Sequence, residues 1–144
     1  MDPRRYAPRG FECICGNLRM ATRAVTSVYD SHLRDAGLQT SQMAVLWAVA
    51  GMPGATVKDV AQRIAMDETA LLRNLRVLEG RDWVSLEVGT DRRQRLPSLT
   101  PAGHEVFARA LPLWKEAQDK IAALLDGSIK EMNRQLLDLT RAVT

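Results

Sequence analysis

The 144-residue sequence holds only two cysteines, Cys13 and Cys15, too few for the disulfide framework on which small secreted domains depend. Its two histidines, His32 and His104, are not at ligand spacing, so no metal site is expected. There is no Gly-rich phosphate loop, nucleophile motif or metal cluster, which argues against an enzyme and against a bound cofactor. No stretch approaches the roughly 20 apolar residues of a membrane-spanning helix. No apolar segment follows Met1-Asp2-Pro3-Arg4-Arg5, so a secretory signal is not expected and a cytoplasmic location is. Charge of one sign is also scarce. A net charge of +3 with a pI near 9.2 is only a mild excess, compatible with nucleic acid but no proof of it.

What is present is a pattern of short amphipathic elements. Apolar residues make up 46% of the chain and charged residues 26%, a globular composition, and the length suits one domain with a real core. Residues 1–10 carry two prolines, one glycine and three arginines and read as a flexible arm. From Phe11 to about Ala36, Ile14, Leu18, Ala21, Val25 and Val28 fall on one helical stripe, stopped by Gly37. A second helix starts at a Ser41 cap, runs through Met43, Leu46, Trp47 and Ala50, and ends at Gly51-Met52-Pro53-Gly54. Val57, Val60, Ala61 and Ile64 then mark a short helix. Asp67 caps another, striped by Leu71, Leu75 and Leu78. Trp83 to Val88 alternates like a strand, and Leu96 to Leu99 can pair back across the charged tip Gly89-Thr90-Asp91-Arg92-Arg93-Gln94-Arg95. A long helix opens at Pro101, passes Pro112 and continues to about Leu124. Asp126-Gly127-Ser128 breaks it, and a last helix carries Ile129, Met132, Leu136 and Leu139.

Helix, turn, helix, strand, charged loop, strand is the order of a winged helix-turn-helix, a DNA-reading module. At 100° per residue, Leu71, Leu75 and Leu78 face inward. Thr69, Arg73 and Arg76 then lie opposite, with Ala70 and Leu72 at the borders. One hydroxyl and two guanidinium groups on an outward face suit a major groove and its phosphates; the plainer reading is a solvated face. From Met66 to Gly103 six arginines meet six acidic residues, so DNA binding must come from where the arginines point. At the loop tip, Asp91 is placed to orient Arg93 toward a narrow minor groove, whose potential attracts a guanidinium. Arg92 and Arg95 are expected nearer the phosphates.

The segment Met66 to Glu79, with Trp83-Val84, Asp91-Arg92-Arg93 and Leu99-Thr100-Pro101-Ala102-Gly103, resembles the winged helix-turn-helix of MarR-type transcriptional regulators. The resemblance is continuous over roughly Thr56 to Phe107, and the flanking helices fit in length and order. It implies a mainly α fold with a two-stranded β wing: a single domain over 11–144, the DNA-reading part at about 41–103, and dimerisation helices at about 11–36 and 104–142. It also implies a homodimeric bacterial regulator that binds double-stranded DNA at a pseudo-palindromic operator and answers to phenolic or oxidant signals. Glu68 and Ala70 depart from the family's usual polar residues. Glu68 stabilises a helix N-terminus, or accepts from a cytosine amine.

The stripe Val106, Leu113, Ala117, Ile121, Leu124 is expected to form the seam between two copies, with an intramolecular bundle as the alternative. By the same resemblance the second helix borders an effector crevice, where Met43, Trp47 and His32 are candidate contacts for a small aromatic carboxylate or its thioester. Met43 and Trp47 are otherwise core, and His32 otherwise a surface residue. Cys13 and Cys15, two apart on a helix, point to different sides and are expected to be buried, inert thiols. A thiol switch through them is the competing idea. A winged helix that binds protein rather than DNA is another.

Overall fold

Most helix starts in this chain are set by side chains that hydrogen-bond the first free backbone amides. The computed structural model describes residues 12–144; the arm expected over 1–10, and Phe11, where the first helix was expected to begin, lie outside the described residues. The order is α1 (Ile14–Leu33), a 3-10 turn (Arg34–Ala36), α2 (Thr40–Gly51), α3 (Val57–Arg63), α4 (Glu68–Gly80), β1 (Val84–Val88), β2 (Arg95–Leu99), α5 (Pro101–Leu124) and α6 (Ile129–Val143). The Asp67 carboxylate accepts from the Ala70 amide at 3.0 Å, as its position before the Leu71, Leu75, Leu78 stripe predicts. Thr56 and Asp59 cap α3 reciprocally, and the bonds from Thr56 lower the Asp59 carboxyl below its ordinary value. Thr100 caps α5 through the Gly103 amide at 3.0 Å. Ser41 is not the cap of α2. The helix begins one residue earlier, where the Gln42 side chain accepts from the Gln39 amide and Asp30 of α1 accepts from the Thr40 amide and hydroxyl at 2.6 and 2.5 Å.

Helices α3 and α4 end alike. The Met66 amide donates to Ala61 and the Ala65 amide to Gln62, with Ala65 at φ 52°. The Trp83 amide donates to Leu78 and the Asp82 amide to Glu79, with Asp82 at φ 58°. Both are Schellman ends with a left-handed residue where glycine is usual.

The core gathers residues from every element but α6. Leu33, Leu46, Val60, Leu71, Leu75, Leu78, Val84, Val106 and Ala110 are fully buried together, and each large side chain contributes roughly 1.5–3 kcal/mol through its burial. The strands pair antiparallel, Val84 opposite Leu99 and Val88 opposite Arg95, with a Ser85–Ser98 hydroxyl bond of 2.8 Å across them. Gly103 joins this hairpin to α5: a Cβ there would lie 1.9 Å from the Trp83 carbonyl oxygen. Only glycine fits so close an approach.

The outer helices depart from the expected seam. Val106, Ala110 and Ala117 of α5 are buried within the single chain, where α5 packs along α1. Leu113 and Ile121 are half-buried, and Leu124 is exposed. The long stripe therefore serves mainly the intramolecular packing that was the alternative. The uncovered apolar face belongs to α6. None of its residues is buried, and Met132, Leu136, Leu137 and Val143 stand in solvent.

Candidate nucleic-acid interface

Three elements converge on one side of the molecule. The first turns of α3 and α4 and the wing tip line a common crevice that includes Thr56, Lys58, Glu68, Asp91, Arg93 and Arg95. Along α4, with Leu71, Leu75 and Leu78 locked in the core, Thr69, Arg73 and Arg76 are exposed and Ala70 is half-buried. The helix thus turns the predicted residues outward, and Arg73 and Arg76 form no ion pair among the described residues. Glu68 lies at the mouth of the same crevice, in the first turn of α4. Lys58 of α3 was missed by the sequence reading; as one exposed lysine on a short helix, it carries no signal until the wing is folded beside it.

The wing tip is an ordered turn. Its ends are joined by the Gly89 amide donating to Gln94, and the Gln94 amide donates to Asp91. Asp91 accepts from the Arg93 amide at 2.9 Å and lies 3.8 Å from the Arg93 guanidinium. That guanidinium is almost wholly exposed, at 93% of its side-chain surface. An arginine restrained at its base and free at its tip can enter a groove with less orientation to lose. Arg92 is exposed beside it. Arg95, expected nearer the phosphates, is also engaged within the wing itself. Its Nη1 donates to the Arg92 and Gln94 carbonyls at 2.7 and 3.0 Å, so it braces the loop that presents Arg93.

Beside α2 lies a mainly apolar cleft of about 590 Å³, lined by Tyr29, Met43, Trp47, Met52, Ile64 and Trp114 among others. Met43 is core, as the plainer reading had it, but Trp47 remains 42% exposed. The Trp47 ring meets Phe107 edge-on at 5.6 Å and Trp114 at 4.9 Å, so α2 and α5 build the cleft's aromatic wall together. The Tyr29 hydroxyl donates to Gln118, and burial raises its pKa. His32 is not among the cleft's lining residues: its Nδ1 lies 2.9 Å from the Val28 carbonyl, back on α1.

The thiols also differ from expectation. Both are exposed, so they are not buried among apolar neighbours. Only Cys15 lies in α1. Cys13 is the extended N-cap residue, and its sulfur accepts from the Gly16 amide at 3.5 Å; the helical spacing that set the two apart does not apply to it. Among the described residues no cluster of His, Cys, Asp and Glu could hold a metal ion, and no helix is long and apolar enough to cross a membrane.

Comparison with known proteins accounts for this arrangement. A family profile described as MarR family matches residues 36–94. The transcriptional regulator HosA of Escherichia coli O111:H- is 27% identical over 121 residues, 83% of this chain and 88% of its own. The crystal structure of the M. tuberculosis transcriptional regulator MosR in complex with DNA superimposes with a TM-score of 0.84 at 30% identity, over 91% of this chain and 96% of that one. A MarR-family regulator from Rhodococcus sp. RHA1, at 20% identity and a TM-score of 0.77, shares the fold over 88% of this chain and 91% of its own. Exposed arginines on α4, the arginine-tipped wing and near full-length similarity to a regulator solved on DNA agree: this chain belongs to the MarR family of DNA-binding transcriptional regulators.

Proposed function

We propose that the chain acts as a homodimeric, sequence-specific repressor that a small aromatic ligand releases from a pseudo-palindromic operator. The observation that carries the DNA-contact assignment is the exposure of Thr69, Arg73 and Arg76 along α4, a helix whose first turn lines one crevice with the Asp91–Arg93 wing tip. Helix α4 enters the major groove with Thr69, Ala70, Arg73 and Arg76 toward bases and phosphates, while Arg93 reaches the adjoining minor groove. The uncovered face of α6, with Ile14, Met20 and Val25 of α1 also exposed, supports association of two copies. A twofold axis then sets two recognition helices about one helical turn, or ~34 Å, apart. The Trp47 cleft supports a flat aromatic carboxylate, or its thioester, as the releasing ligand, acting by binding one of two helix spacings better than the other. Footprinting on the DNA flanking the gene tests the reading. Two protected half-sites, both required for binding, are expected; protection of a single unpaired half-site refutes the twofold arrangement.

A second reading is favoured by one observation. Cys13 and Cys15 are exposed near the start of α1, with Cys13 at its N-cap, an accessible position for oxidation. In this reading a peroxide oxidises a thiolate and DNA is released without an aromatic ligand. Release by peroxide that disappears in the Cys13→Ser, Cys15→Ser double variant identifies the thiol switch; release by peroxide that survives in that variant excludes it.

A further inference from the structure

The walls of the Trp47 cleft are mainly apolar, with Tyr29, Thr40 and Arg63 the polar side chains among them. Among its lining residues only one carries a charge, and that residue is Arg63. Arg63 is the last residue of α3. Its guanidinium makes no hydrogen bond or ion pair among the described residues, in contrast to Arg81, which donates to the Gly37 carbonyl at 3.1 Å and lies 4.9 Å from the centre of the Trp83 ring. A cation at a helix C-terminus complements the helix dipole, and that would be a sufficient account of an arginine pointing only to water. Arg63 instead borders a cavity whose other surfaces include Trp47, Trp114, Met43, Met52 and Ile64. A flat ring held by this wall has one charged donor within the same cleft, and it is a fork suited to a carboxylate.

We infer that Arg63 is the anion-recognising residue of the Trp47 cleft, which therefore selects a flat aromatic ring bearing a carboxylate over its uncharged counterpart. This rests on the reading of the cleft as an effector site and adds to it the residue that sets ligand charge. Position gives the pairing a consequence. Ile64 and the left-handed Ala65 follow Arg63 directly, and α4 begins at Glu68. An anion held by Arg63 thus engages the end of α3 beside the turn that sets the recognition helix.

The test is isothermal titration calorimetry of the full chain with trans-cinnamate and with cinnamamide, which share a ring and differ in charge. The wild type is expected to bind cinnamate roughly tenfold more tightly, the scale of one charge-assisted hydrogen bond. Because Arg63 is exposed, the preference should shrink as salt rises. Arg63→Gln should bring the two affinities together while leaving cinnamamide binding as in the wild type, and Arg63→Lys should restore part of the difference. Cinnamamide thereby reports that the Gln variant is folded and its cleft intact. Equal binding of acid and amide by the wild type, or an undiminished preference in Arg63→Gln, overturns the inference and leaves the aromatic effector reading standing. Failure of the wild type to bind either compound at millimolar concentration refutes that reading and the inference with it.

Discussion

Replacing Gly103 by alanine adds one methyl group to the third residue of α5 and should cost this fold several kcal/mol. On an unobstructed helix the change is favourable, by up to about 1 kcal/mol, because alanine loses less backbone freedom. At Gly103 the new Cβ would lie 1.9 Å from the Trp83 carbonyl oxygen and 2.9 Å from its carbon. Carbon–oxygen contacts are ordinarily no closer than about 3.3 Å, so the backbones must separate by about 1.4 Å. That corner is also bonded. The Trp83 carbonyl accepts from the Thr100 amide at 3.2 Å, and the Thr100 hydroxyl donates to the Asp82 carbonyl while accepting from the Gly103 amide. Overpacking costs about 1–3 kcal/mol and each weakened hydrogen bond about 1 kcal/mol. Set against the propensity gain, the net loss is about 3 kcal/mol. At roughly 2–4 °C per kcal/mol for a chain of this size, Tm should fall by roughly 6–12 °C. Gly80→Ala is the control, since a Cβ there meets nothing within 4 Å, and its Tm should hold or rise. Thermal melts followed by circular dichroism, at one protomer concentration, decide the matter. A Gly103→Ala protein melting within ~2 °C of the wild type would refute the close approach and the account of how the hairpin is fixed to α5.

The double substitution Leu136→Glu, Leu137→Glu places charge on the exposed face of α6; sedimentation equilibrium should show a ~32 kDa species become one of 16.0 kDa with the helical signal retained, and a wild type already monomeric at micromolar concentration would exclude the dimer. Arg93→Ala should weaken DNA binding roughly tenfold on A·T-rich flanks and much less on G·C-rich ones, measured by fluorescence anisotropy; equal losses on both would remove the minor-groove role. Arg95→Ala releases the Arg92 and Gln94 carbonyls and should mimic a milder Arg93→Ala, with the slope of affinity against salt little changed. A slope lowered by about one counterion would return Arg95 to the phosphates.

Local caps and periodicities made much of this architecture legible in the sequence. Leu71, Leu75 and Leu78 at helical spacing fix which face of α4 is buried, and so which carries Thr69, Arg73 and Arg76. Asp67 and Pro101 mark helix starts because their roles are settled within one turn of chain. Where partners are distant, the reading failed. Ser41 looked like a cap because Asp30, ten residues before Thr40, could not be seen to hold it. The α5 stripe looked like a seam between copies because periodicity shows that a face is apolar, not what covers it. His32 and Arg63 show the same limit at the cleft. One was attached to it by family likeness and lies elsewhere; the other has no motif, and acquires a context only when the end of α3 meets Trp47 and Trp114 across the fold.

The charge of the reading module illustrates why placement outweighs composition. Between Met66 and Gly103 the acids equal the arginines in number, and by count this region should have little attraction for a polyanion. Several of those acids have local structural roles. Asp67 caps α4, Asp82 supplies the left-handed end of the same helix, and Asp91 holds the turn that carries Arg93. Two of the arginines are likewise engaged, Arg81 against Trp83 and Gly37 and Arg95 within the wing. Among the described residues Arg73 and Arg76 have no ion pair on the exposed face of α4, and the Arg93 tip stands 3.8 Å from a single carboxylate oxygen with 93% of its side chain in solvent. Exposed ion pairs of that kind hold only weakly, so a phosphate or a narrow groove can replace Asp91 as the partner of Arg93 at small cost. Three of the six acids that make the module neutral thus build and cap the elements that display its arginines, so a count of charges understates how many guanidinium groups stand free.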